Sequence, residues 1–207
     1  LALVDDHPIF REGLKKILCE DDSFNVLSEY ASAEACMSDL KEGATQLDIL
    51  VMDISLPGVN GLDLIKKSQK LAPHLKCVVL TMHNQEFYVH AAVKNEALSF
   101  LTKDTPLLEV SRALKVVATG KPFFSTSIEQ SPTRLIYGPE DHLSPRELET
   151  LSYLAAGSSL QEIAKKLDIS LKTVSTYKAR AMEKMNIKSN FDLFQWANYA
   201  QSKETDF

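Results

Sequence analysis

Over its first 120 residues the chain alternates short apolar runs with stretches of helical period, and few folds accept that pattern. Leu1–Val4, Asn25–Glu29, Asp48–Asp53, Lys76–Thr81 and Leu98–Leu101 read as strands. Four of the five are apolar on both faces, as strands buried inside a parallel sheet are. Helix-period stretches lie between them, near 9–19, 32–41, 61–71, 84–93 and 106–119. Strands alternating with helices imply right-handed βαβ crossovers and an α/β fold with a doubly wound five-stranded parallel sheet. Thr105-Pro106 reads as an N-cap followed by proline at the first helical position, and Gly120 lies just past the last of these helices.

The alternation stops near residue 121. Residues 122–142 hold Pro122, Pro132, Pro139 and Gly138 among many Ser and Thr and read as a linker. Four helices with marked starts are expected from 143 to 207. Ser144-Pro145-Arg146-Glu147 and Ser159-Leu160-Gln161-Glu162 are capping boxes, Ser189-Asn190-Phe191-Asp192 is a third with Asp for Glu, and Ser170 is a plainer cap. A short helix, a tight turn at Asp168-Ile169 and a basic second helix form the helix-turn-helix pattern.

Charge follows the same division. Residues 1–124 carry 13 Lys/Arg against 17 Asp/Glu, and residues 143–207 carry 9 against 8. Within 165–188 the balance is 7 basic to 2 acidic, the candidate nucleic-acid footprint of a chain whose overall charge is −5. Cys19, Cys36 and Cys77 have no metal or redox spacing and read as reduced residues. No apolar run reaches the roughly 18 residues of a membrane span, and no signal peptide is visible, so a cytoplasmic location is expected.

Asp5 and Asp6 follow the first expected strand, Asp53 ends the third, Thr81 ends the fourth and Lys103 follows the fifth. Open α/β sheets bind ligands beyond the carboxyl ends of their strands. With strands 1, 3, 4 and 5 side by side, the five residues converge on one crevice. Three carboxylates stay ionised together only beside a compensating cation, and all-oxygen ligation favours Mg²⁺. A carboxylate there is a nucleophile towards a phosphoryl group, with Lys103 and Thr81 placed to stabilise the transferred charge. An Asp-nucleophile phosphatase is a rival reading, but the adjacent Asp5-Asp6 pair does not match the D-x-D that the haloacid-dehalogenase type needs.

L-V-D-D-H-P (3–8), V-M-D-I-S-L-P-G-V-N-G (51–61), L-T (80–81) and F-L-T-K (100–103) resemble a two-component response-regulator receiver. L-S-P-R-E-L-E-T-L (143–151), E-I-A-K-K-L (162–167), I-S-L-K-T-V (169–174) and E-K-M (183–185) resemble a LuxR-type helix-turn-helix. In this order they resemble the NarL/FixJ family across nearly the whole chain. The resemblance implies a flavodoxin-like receiver over 1–121 and a DNA-binding domain over 143–207. Asp53 would be the phospho-acceptor, fed by a sensor histidine kinase. Asp5, Asp6, Asp53 and the carbonyl of Ser55 would hold Mg²⁺. Thr81 and Phe100 would be the switch pair, and Lys103 would meet the acyl phosphate. The chain would be no enzyme beyond assisting its own phosphorylation and dephosphorylation. His7 reads as a loop residue. Ala97-Leu98-Ser99, Tyr177 and Ala181 depart from the family pattern. A regulator indifferent to phosphorylation, with a structural receiver, is the other alternative.

In the expected recognition helix, from about Leu171 to Met185, Val174, Tyr177, Ala181 and Met185 form a core-facing stripe. Ser175, Thr176 and Ala179 are the candidate base contacts, matching groove-facing positions of the family. Lys172, Thr173, Lys178 and Arg180 would bind phosphates, supported by Lys165 and Lys166. The base-facing side chains are small, so DNA shape and thymine methyl groups would carry much of the preference. One such domain buries little surface, and a dimer on paired half-sites of double-stranded DNA is expected. The aromatics Phe191, Phe194, Trp196 and Tyr199 of the last helix divide between core and contact surface, and Phe191, Phe194 and Trp196 are the candidates for dimerisation.

Overall fold

The computed structural model describes residues 1–43, 46–84, 86–124 and 142–204, so most of the expected linker lies outside the described residues. The chain divides into two compact units. Along the chain, β1 (Ala2–Val4), α1 (Pro8–Leu18), β2 (Ser28–Tyr30), α2 (Ala33–Glu42), β3 (Ile49–Met52), α3 (Gly61–Leu71), β4 (Lys76–Thr81), α4 (Glu86–Lys94), β5 (Ser99–Thr102) and α5 (Leu107–Ala118) follow in the expected order. All strand pairs are parallel, in the order β2-β1-β3-β4-β5 with a further strand, β6 (Phe123–Phe124), beside β5. The five receiver strands are those expected, and β6 adds a sixth at the edge of the sheet. β6 pairs Ser99 with Phe123 and Phe100 with Phe124 inside the span assigned to the linker, and two residues are too few to show a period.

Strand β2 is also displaced from expectation, to Ser28–Tyr30. It sits at the sheet edge with all three residues half-buried, so it lacks the continuous apolar run that marks β3. Helix α5 takes Pro106, not Thr105, as its N-cap, because Pro106 is still extended (ψ 136°).

Leu3, Val51, Val78, Leu80 and Leu101 pack with Leu14 and Leu18 of α1 and with Val110, Leu114 and Val117 of α5. Leu50, Met52, Cys77 and Val79 alternate with them along the strands and are buried too, which is why these runs show no polar face. Each such side chain contributes roughly 1.5–3 kcal/mol by leaving water. The framework fixes the carboxyl ends of β1, β3, β4 and β5 side by side.

The second unit contains α6 (Pro145–Ala155), α7 (Leu160–Leu167), α8 (Leu171–Lys184) and α9 (Asn190–Glu204). Both Ser-x-x-Glu capping boxes form in full, at Ser144/Glu147 and Ser159/Glu162. Ser170 caps α8 through the Thr173 N–H, and Ser189 and Asp192 cap each other's main chain at 3.1 Å. Asp168 ends α7 in the left-handed region (φ 54°), which turns the chain into α8 within three residues. Ile163, Leu167 and Val174 join α7 to α8, with Tyr153 and Leu154 packed against them.

Candidate functional site

Parallel strands reverse their order of growth between β1 and β3, and the crevice opens at their carboxyl ends. Asp5 follows β1 and Asp53 follows β3, and each is at most 5% exposed. Lys103, one residue past β5, reaches across: its Nζ lies 2.6 Å from Asp5 Oδ2 and 2.7 Å from Asp53 Oδ2. The same ammonium stands 4.5 Å above the Phe10 ring. Thr81 is buried at the end of β4, and its hydroxyl is among the groups that hold the Asp53 carboxyl down. The Ser55 N–H donates to Asp53 Oδ1 at 3.1 Å. Asp6 stands beside them, more exposed, and the ligand atoms of Asp5, Asp6, His7 and Asp53 lie within 4.8 Å of one another. Phe100 is buried on β5, opposite Val79 of β4.

The charges balance in a definite direction. Burial pushes the Asp53 carboxyl up, but hydrogen bonds from Lys103 and Thr81 outweigh it and hold the carboxyl below its ordinary value. Burial likewise pulls the Lys103 ammonium down, and Asp5 and Asp53 together hold it above its ordinary value. Asp53 is therefore an ionised carboxylate beside a fixed cation. The oxygen-rich donor set of Asp5, Asp6 and Asp53 fits a hard divalent ion.

Several contacts were not legible as site features. His7, read as a loop residue, is the N-cap of α1, yet its ring does not cap. Its Nδ1 lies 3.1 Å from Asp5 Oδ1 and 2.8 Å from Asp6 Oδ1. Ser55 Oγ and His83 Nε2 are 2.6 Å apart, tying the loop after β3 to the loop after β4. Arg11 bonds the main chain of Asp5.

In the second unit the expected stripe of α8 is turned inward: Val174, Ala181 and Met185 are buried and Tyr177 is half-buried. Lys172, Ser175, Thr176, Ala179 and Arg180 are exposed, as are Lys165 and Lys166 of α7, while Thr173 and Lys178 are half-buried. The hydroxyls of Ser175 and Thr176 bond back to the carbonyls of Leu171 and Lys172 at 3.0 Å. The far end of α8 is anchored by Lys184, whose Nζ lies 2.7 Å from buried Glu147. That ammonium and the Ser144 N–H pull the Glu147 carboxyl down to about 2. The last helix separates its aromatics cleanly. Phe191 and Phe194 are 54% and 57% exposed, whereas Trp196 is 2% exposed and belongs to the core. Trp196 is therefore placed differently from the surface residue its candidacy for dimerisation required; Tyr199 lies outside the described side chains.

Comparison with known proteins agrees with both units. The model of the response regulator receiver domain matches residues 1–115. That of the bacterial regulatory proteins of the luxR family matches residues 141–197. The chain belongs to the NarL/FixJ family of response regulators. This response regulator is 30% identical over 211 residues to the transcriptional regulatory protein RcsB of Salmonella typhimurium, spanning 100% of the chain and 97% of RcsB. It is 29% identical over 199 residues to the response regulator GacA of Pseudomonas aeruginosa, covering 93% and 92% of the two. Among solved structures, two RcsB dimers bound to two parallel DNAs superpose with a TM-score of 0.78 at 31% identity, covering 97% of each chain. RcsB from Salmonella enterica serovar Typhimurium, bound to a promoter in the presence of phosphomimetic BeF3−, gives the same TM-score at 30% identity, covering 96% and 97%. Response regulators of this architecture combine a receiver with a DNA-binding domain that regulates transcription.

Proposed function

We propose that this response regulator accepts a phosphoryl group on Asp53 from a sensor histidine kinase and in that state favours dimeric binding to double-stranded DNA. The observation that carries the proposal is Lys103, buried between Asp5 and Asp53 at 2.6 and 2.7 Å, because a fixed cation there serves the charge of an incoming phosphoryl group. One Asp53 carboxylate oxygen forms the bond to phosphorus as the bond to the donor's leaving group breaks. Lys103 stays paired with the charge, and the Thr81 hydroxyl turns from Asp53 to a phosphoryl oxygen. Asp5, Asp6, Asp53 and the Ser55 carbonyl would hold Mg²⁺, which when bound neutralises charge on the phosphoryl oxygens. Thr81 and Phe100 report the change, and the coupling to DNA affinity would be about 1–3 kcal/mol. The phosphate biases two existing states by binding them unequally. The receiver turns over no substrate beyond forming and losing its own acyl phosphate. No helix among the described residues is long and apolar enough to cross a membrane, and we place the regulator in the cytoplasm.

Incubation with acetyl phosphate and Mg²⁺ tests this. One phosphoryl group per chain, on the peptide containing Asp53, is the expected result. Multiple turnover of a small phosphate ester would instead favour the phosphatase reading. Unlabelled protein with undiminished specific DNA binding would favour a structural receiver.

On DNA, we assign base contact to Ser175, Thr176 and Ala179, and phosphate contact to Lys172, Thr173, Lys178 and Arg180 with Lys165 and Lys166. Lys172→Ala is expected to weaken binding and to flatten the slope of log K against log salt by about 0.9. Unchanged affinity and slope would reject this docking. Self-association is assigned to the exposed ridge of Phe191 and Phe194, one helical turn apart. Phe194→Asp should shift sedimentation towards monomer while leaving the helical circular dichroism signal unchanged; an unaltered profile rejects the ridge.

A further inference from the structure

The turn after β1 must hold two adjacent carboxylates towards one pocket although their charges repel. Its main chain is pinned from both sides. The Asp5 N–H donates to the carbonyl of Tyr30, at the end of β2, at 3.0 Å. The Asp5 carbonyl accepts from Arg11 Nη1 at 2.5 Å. Arg11 stands one turn into α1, and its side chain is only 16% exposed. Its Nε lies 3.5 Å from Oε2 of Glu29, the β2 residue before Tyr30, and the other Glu29 oxygen is paired with Lys15. The guanidinium thus meets the back of the turn, while Asp5 Oδ2 faces Lys103 and the pocket.

We infer that Arg11, braced by Glu29, is a positioning residue for divalent-cation binding, holding the Asp5–Asp6 main chain so that both carboxylates reach one ion. The inference rests on the reading of this pocket as the divalent site. Residues that orient ligands without touching the ion change metal affinity by about 10-fold or more when removed. The sign of the effect separates positioning from simple electrostatics. A positive charge beside a cation site repels the cation, so deleting it without structural consequence tightens binding. Loss of positioning weakens it.

The test is a titration of the full chain with Mn²⁺ alone, followed by the electron paramagnetic resonance signal of the free hydrated ion, with thermal melting in parallel. Arg11→Met is expected to bind Mn²⁺ about 10-fold more weakly than the wild type. Arg11→Gln, which also lacks the charge but keeps an amide donor for the Asp5 carbonyl, is expected to lose less. Arg11→Lys is expected to recover most of the affinity. Equal or tighter binding in Arg11→Met overturns the inference. Should that variant fail to melt cooperatively, Arg11→Gln decides alone: weaker than wild type supports, equal or tighter overturns. A wild-type protein that takes up no Mn²⁺ overturns the reading of the pocket itself, and that outcome is visible before any variant is compared.

Discussion

Asp53→Asn is expected to take up no phosphoryl group from acetyl phosphate, and Lys103→Met to take it up about 100-fold more slowly than the wild type. The first change removes the nucleophile and keeps its shape. The second keeps the nucleophile and removes the cation that lies 2.7 Å from it. Loss of one preorganised partner of developing charge costs about 10²–10³ in rate, which sets the magnitude. The variant also has a distinct pH signature. In the wild type, Asp53 is held below its ordinary value and Lys103 above its own. The Asp53 contribution to stability is therefore present above about pH 4 and lost as pH falls through the folded value. The Lys103 contribution is present below about pH 10 and lost as pH rises through its folded value. Stability from this pair is flat between those limits. Without Lys103, burial and the facing Asp5 carboxylate raise at least one carboxyl. Folded Lys103→Met then binds more protons than its unfolded chain, so its stability declines as pH rises above about 4 towards the raised value. Denaturant midpoints across pH 4–8 would show a slope absent from the wild type. A variant phosphorylated at the wild-type rate would remove Lys103 from the site.

Much of this pocket was readable because its parts lie at the ends of strands that announce themselves. β3 is Ile49–Met52 with every residue buried, and a run of that kind is visible without coordinates. The proposed acceptor, Asp53, then follows by position. What stayed hidden depends on pairs that no period connects. Ser55 meets His83 across 28 residues, and Arg11 reaches back to a carbonyl, a group every residue has. β2 lies a few residues from its expected place and β6 was not foreseen for another reason: an edge strand of three half-buried residues and a strand of two residues offer too little hydrophobic pattern. The last helix did carry its division. Phe191 and Phe194 are three apart on one face, and Leu193, Trp196 and Ala197 follow i, i+3, i+4 on the buried face. Counting aromatics placed Trp196 on the contact surface, whereas the helical period places it inside.

The second large effect concerns a residue with no side chain. Gly61 opens α3, and a Cβ built there would lie 2.1 Å from the carbonyl oxygen of Asp53 and 2.8 Å from Ile54 Cα. Both neighbours are main chain, so no side chain can swing aside. Gly61→Ala must push α3 away from β3 or displace the peptide that follows Asp53. Its N–H, which donates to the Ile54 carbonyl at 2.9 Å, is disturbed either way. Overpacking of this kind costs about 3 kcal/mol, at the upper end for an added methyl because the obstacle is rigid. For a receiver of this size the expected fall in Tm is on the order of 10 °C. Phosphoryl uptake should fall with it even below the transition, since the moved peptide carries Asp53. Gly13 is the control. It lies inside α1 with nothing within 4 Å of a built Cβ, so Gly13→Ala should raise stability by up to about 1 kcal/mol through helix propensity alone. Thermal melts of the two variants should therefore move in opposite directions. If Gly61→Ala instead melts with the wild type and is phosphorylated as fast, the loop after β3 is soft, and the acceptor owes its position to Lys103 and Thr81 rather than to the close contact beneath it.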